Sequence, residues 1–221
     1  MHQLEVTGNH QVEIHYDGTT VCFIINKEIH SIVVAGPYQT AQNYFHINCT
    51  YNNNHFNELD DVRYELDHSS LAKIEAFLKR FESGNYSVFP FTRQVNFVQP
   101  QENNVSRLHF SMESNSMVIS TQPLNSMNRN KINEYKEKIN KGESPIVFLY
   151  SKTYSGLELE EVFFIVSGNE VLKAYQELEI NPKLIALVNS TDYEYDSSNQ
   201  EVLNIISSHK EIRDTSYLYF Y

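Results

Sequence analysis

An α+β fold is what this sequence predicts, and three observations carry that prediction. The first half is dominated by short apolar segments of period two separated by turn signals, the mark of antiparallel strands. One segment, 69–82, breaks that pattern with apolar residues at helical spacing. In the second half, helical and strand-like stretches follow one another and are closed by Gly or Pro, as in an α/β layer.

Taken in order, Gln11–Tyr16 places Val12, Ile14 and Tyr16 on one face, and Asp17-Gly18 is a hairpin signal before the apolar strand Thr20–Asn26. Ile29–Ala35 and Tyr44–Tyr51 are further strands, separated by Gly36-Pro37 and closed by Asn52-Asn53-Asn54. Val62–Leu66 adds one more. The clearest helix spans Ser69–Glu82, where Leu71, Ile74, Leu78 and Phe81, with Phe77 beside them, form one stripe. Asp67 to Ser70 supply its capping side chains and Gly84 closes it. Strands resume at Val95–Val98 and Val105–Met112 around a turn at Glu102–Asn104. The polar step Glu113-Ser114-Asn115-Ser116 then divides the chain into two expected domains. Residues 1–115 form a mostly antiparallel sheet with one main helix, and 117–221 an α/β unit. At 221 residues the chain is long enough for both to bury cores.

In the second half, Ile132, Tyr135 and Ile139 share a helical face, Gly142 ends that helix, and Pro145 leads into the strand Ile146–Tyr150. Phe163 to Val166 is another strand, and Ser167-Gly168-Asn169-Glu170 turns it straight into a helix carrying Val171, Ala174 and Tyr175. Ile180-Asn181-Pro182 breaks that helix before the strand Leu184–Val188. A glycine turn into a helix aims backbone N–H groups and the positive dipole end at one point, where anions bind. Ser167, Gly168, Asn169 and Glu170 are therefore the candidate ligand turn.

From Met117 to Val188 this order resembles the ParB-like nuclease and sulfiredoxin superfamily, whose strand leads into Asp-Gly-His-His-Arg and then a helix with an alanine and an aromatic. Gly168, Ala174 and Tyr175 match. The acidic position is Ser167, the two histidine positions are Asn169 and Glu170, and the arginine position is Val171. In the family these side chains hold a nucleotide phosphate or do the chemistry. Their loss implies a degenerate, pseudoenzyme copy without catalytic residues, with Glu170 the one remaining candidate base.

The first half, with its single Leu71-x-x-Ile74-x-x-Phe77-Leu78-x-x-Phe81 helix among strands, is similar in pattern and charge to the small acidic immunity proteins that bacteria keep beside polymorphic toxins.

Composition narrows the partners. Asp and Glu number 28 against 17 Lys and Arg, a net charge of −11. Such a surface repels phosphate backbones, so duplex DNA is not an expected partner and a basic protein is. No basic-then-apolar leader or long apolar run is present, which gives a cytoplasmic reading without a membrane span. Two cysteines, Cys22 and Cys49, are too few for a disulfide scaffold and read as buried, inert thiols.

The nine histidines stand singly, without a His-x-x-x-His pair, and no metal site is expected. His46 and His109 read as core histidines. No nucleophile elbow, Walker loop or dinucleotide motif occurs, and no cofactor is expected. The acidic runs 58–61 and 158–161 read as solvated loops, and the alternating tail Tyr217–Tyr221 as a final core strand.

Three functions fit. One is a protein-binding inhibitor of the immunity type, facing a basic toxin domain. A second is a nucleotide-binding or residual phosphotransfer module at Ser167 to Glu170. The third is an accessory structural subunit.

Overall fold

The computed structural model describes residues 1–16, 20–35, 41–46, 59, 62, 66–100, 106–111, 116–153, 162–190 and 204. They form two sheets and three α-helices, an α+β architecture. The smaller sheet contains β2 (Val12–Tyr16), β3 (Thr20–Ile25), β4 (Glu28–Ala35), β5 (Ala41–His46) and β8 (Ser106–Ser111). Its order is β2-β3-β4-β5-β8 and every pairing is antiparallel, as the period-two patterning requires.

Helix α1 (His68–Leu78) begins where expected, with Asp67 Oδ1 accepting the Ser70 N–H at 2.7 Å. It ends four residues short of the expected Glu82. The carbonyls of Lys79, Arg80 and Phe81 are taken by N–H groups of residues 9–12, so tertiary pairing stops a helix that periodicity alone would continue. Phe81 still packs inward, against Tyr150, with ring centroids 4.7 Å apart. Gly84 does not close the helix; it opens β6 (Gly84–Phe91), a strand the sequence reading omitted. Pro90 disguised that strand. Pairing with β1 (His2–Val6) stops at Val88, so Pro90 lies where β6 has only β12 (Lys183–Asn189) beside it, and a missing N–H is tolerated there.

The larger sheet takes in β7 (Val95–Val98), β9 (Ser116–Ile119), β10 (Ile146–Lys152) and β11 (Val162–Ser167), in the order β1-β6-β12-β10-β11-β9-β7. Parallel pairs join β10 to β12 and β9 to both β11 and β7; the rest are antiparallel. β10 and β11 are buried along their whole length, which accounts for their unbroken apolar runs. One face, with Phe148, Tyr150 and Phe164, meets α1 and the smaller sheet, where Phe164 stacks on Phe23 at 4.6 Å. The other, with Val147, Leu149 and Ile165, is covered by α2 (Arg129–Asn140) and α3 (Asn169–Glu177).

Strand pairing crosses the boundary expected at 115–117. β1, β6 and β7 lie before it yet hydrogen-bond into the same sheet as β9 to β12, and one core cluster holds Phe23, Phe81, Phe148 and Ile185 together. The half-chains 1–115 and 117–221 are therefore not the units of packing. Long-range pairing of β6 with β12 leaves no local sequence signal.

The larger sheet is also strongly coiled. Only residues 92–94 connect β6 to β7, whereas four strands separate the two in the sheet. A flat sheet would set them about 24 Å apart at ~4.8 Å per strand. Four Cα steps reach no more than about 15 Å.

The ends of the expected strand 62–66 are described, and both Val62 and Leu59 are buried. Its interior, the turns at 17–18 and 102–104, Cys49, the acidic runs apart from Leu59, and the tail 217–221 lie outside the described residues, as do the side chains of His46 and His109. Cys22 is fully buried.

Candidate functional site

The turn after β11 is built by close approach. Gly168 sits at φ +93°, and a Cβ there would come within 2.9 Å of the Ile146 carbonyl oxygen and 3.1 Å of Val147 Cα. Only glycine allows both the left-handed conformation and that contact with β10. Ser167 before it is buried at the end of β11, and Asn169 begins α3.

Asn169 does not face solvent. It is 3% exposed, and its amide nitrogen donates to Thr121 Oγ1 at 3.2 Å. Thr121 in turn donates to the Ile165 carbonyl at 2.6 Å. On the other side, Ser120 Oγ lies 2.8 Å from Asn169 Oδ1 and equally close to the Gln122 carbonyl, sharing its single proton between them. Ser120, Thr121 and Gln122 follow β9 and are all buried, so this segment fills the space under the start of α3. Glu170 is half-buried in the first turn of α3, where a carboxylate offsets the helix dipole. Val171 is 3% exposed and belongs to the apolar cluster on the sheet.

The four candidate residues are thus contiguous but point to different surroundings. Ser167 and Asn169 are consumed by the interior, and Gly168 and Glu170 are partly open. An asparagine bonded at both ends of its amide cannot shuttle protons. The side chain of Val171, packed in the core, offers no donor to a phosphate. Across the helix pair, Glu177 on α3 is bonded by Arg129, at 2.9 Å for Nη2 to Oε2, and by Lys136 at 3.1 Å. The Arg129 bond, outweighing partial burial, pulls the Glu177 carboxyl down to about 2.

A second buried polar group, absent from the sequence reading, lies at the opposite end of β10. Lys152 Nζ is bonded to Glu82 Oε2, with both side chains almost fully buried. The other carboxylate oxygen of Glu82 accepts the Ile14 N–H at 2.7 Å, which ties β2 to this pair. Tyr86 donates its hydroxyl to the Glu82 carbonyl at 2.6 Å, and Asn189 Nδ2 lies 3.4 Å from that hydroxyl. Burial, helped by the Glu82 charge, pushes the Tyr86 hydroxyl well above its ordinary value. One signal was available: a lysine ends the apolar run Ile146 to Tyr150. Its partner, 70 residues away, was not legible.

His15 on β2 and His10 just before that strand flank Glu13, at 3.3 and 2.7 Å, and lower its carboxyl pKa, the His15 bond most. No group of three or more His, Cys, Asp or Glu that could hold a metal ion occurs among the described residues. No described helix is long and apolar enough to cross a membrane. No family model matches the chain, and neither a curated protein nor a solved structure matches it.

Proposed function

We propose that this chain is a non-catalytic, cytoplasmic protein-binding module of the immunity type, which inhibits a basic toxin domain by docking on its acidic surface. The observation supporting this reading is Asn169. At the position where the ParB-like pattern places a histidine, its side chain is spent on Ser120 and Thr121 rather than offered to a substrate. A group that does proton transfer must reach the reacting atoms. The ParB-like resemblance then concerns scaffold and not chemistry, and a nucleotide at Gly168 would find Val171 where the pattern places an arginine. A net charge of −11 speeds encounter with a basic partner and opposes nucleic acid.

The test is genetic. The gene beside this one should encode a domain that stops growth when expressed alone, and co-expression of this chain should restore growth. A neighbour without toxicity, or toxicity that this chain leaves unrelieved, overturns the reading.

A further inference from the structure

The carboxyl ends of the parallel strands β10 and β12 bring an amine, a carboxylate and a side-chain amide together in the interior. Lys152 closes β10 and Asn189 closes β12; the two are register partners, and the Thr153 N–H donates to the Asn189 carbonyl at 2.9 Å. On its other side Asn189 is paired with Tyr86 of β6. Register partners on neighbouring strands share a face, and side chains alternate along each strand. Lys152, Asn189 and Tyr86 therefore form one row on the face that also carries Tyr150 and Leu187. All three are buried, as is Glu82, which reaches the row from just before β6.

Their contacts link the groups to one another. Lys152 Nζ is bonded to Glu82 Oε2, the Tyr86 hydroxyl donates to the Glu82 carbonyl, and Asn189 Nδ2 lies 3.4 Å from that hydroxyl. An aromatic wall stands beside them, with the Phe81 and Tyr86 rings 4.7 and 6.3 Å from that of Tyr150. A lysine amine next to a base that can take its proton is an activated nucleophile, and a site that excludes water suppresses competing hydrolysis.

We infer that Lys152 and Asn189 become joined by an intramolecular amide cross-link, with Glu82 as the proton carrier. Glu82 takes one proton from the Nζ ammonium, and the neutral amine attacks Asn189 Cγ. A second proton passes from Nζ through Glu82 to Nδ2, the Cγ–Nδ2 bond breaks, and ammonia leaves. The products are an Nζ–Cγ amide, a protonated Glu82 and ammonia, so atoms and charge balance without an oxidant or cofactor. Two buried charges vanish in the process, which favours it in surroundings that solvate ions poorly. Neighbouring strands lie about 4.8 Å apart, within reach of a lysine side chain, and the fold supplies the encounter of the two groups. The attacking amine is the minor form of the ion pair, so newly folded chain carries the charges and matured chain the amide. The step occurs once per chain and uses no outside substrate. It is independent of the turn at Gly168 and of any protein partner.

The test is the intact mass of the full chain, newly purified and again after several days at physiological temperature. Matured wild type should be lighter than its sequence by one ammonia, about 17 Da, and digestion should yield a branched peptide joining Lys152 to Asn189. Lys152→Arg, Asn189→Ala and Glu82→Gln should each keep the full mass of their own sequences. Closure of Asn189 on its own backbone also releases ammonia; that loss would survive Lys152→Arg and give no branched peptide, and such a result overturns the inference. A matured wild type that keeps its full mass overturns it as well, whether or not the variants fold.

Discussion

The two ends of β10 bury polar groups in opposite ways. At its start, Ile146 and Val147 pack on Gly168 beside a neutral cluster of Asn169, Ser120 and Thr121; at its end, Lys152 meets Glu82. Amides and hydroxyls recover through hydrogen bonds most of what burial costs them. An ammonium and a carboxylate each lose several kcal/mol of hydration, and only a close, fully bonded pair offsets that. The neutral end fastens α3 to its own sheet. The charged end fastens one sheet to the other, because Glu82 also takes the Ile14 N–H of β2. The polar side chains beside the glycine turn are bonded to one another, and the buried charge lies at the other end of β10.

The largest expected effect breaks the charged end. Glu82→Gln leaves the Lys152 ammonium buried without its carboxylate and should lower unfolding free energy by about 3–5 kcal/mol in urea titrations. Replacing both residues, Glu82→Leu with Lys152→Met, should recover most of that loss. A single substitution costing under about 1 kcal/mol would mean the pair does not clamp the sheets.

At the neutral end, Gly168→Val combines a left-handed backbone with a clash on the Ile146 carbonyl, and a loss of about 3 kcal/mol is expected. Gly142→Ala separates the two causes. Its φ is +86° but nothing lies within 4 Å of the added Cβ, so about 1 kcal/mol is expected. Equal losses at the two glycines would remove close approach to β10 as the reason for Gly168. Asn169→Ala should cost about 1–3 kcal/mol by taking one buried hydrogen-bond partner each from Ser120 and Thr121.

Much of this was legible and some was not, for physical reasons that differ by residue. Strand 12–16 announced itself by alternation, 20–25 and 28–35 by their apolar, β-branched runs, and the Asp67 cap marked α1. The glycine turn was placed correctly because strand, glycine and helix are local signals. What failed was non-local. The end of α1, the strand around Pro90 and the Glu82–Lys152 pair are each decided by residues tens of positions away. Likewise the inward direction of Asn169 depends on Ser120 and Thr121, which no reading of 167–171 contains.

The smallest effect concerns α2 and α3. Glu177→Gln should cost about 0.5–1 kcal/mol, since the Arg129 side of the bond is largely exposed. The Glu177 carboxyl titrates near 2 in the folded chain against an ordinary 4.5. Its contribution is therefore complete above about pH 4.5 and disappears as pH falls toward 2. The variant and wild type should converge in stability across that window; a constant difference would deny the charge its role.

Whether the turn at Gly168 is scaffold or site is decided most directly by calorimetry with CTP and with ATP plus magnesium. The buried amide of Asn169 and the core position of Val171 predict no heat of binding up to millimolar nucleotide. Micromolar binding of either nucleotide, abolished by Gly168→Val in a variant still folded by circular dichroism, would contradict the account.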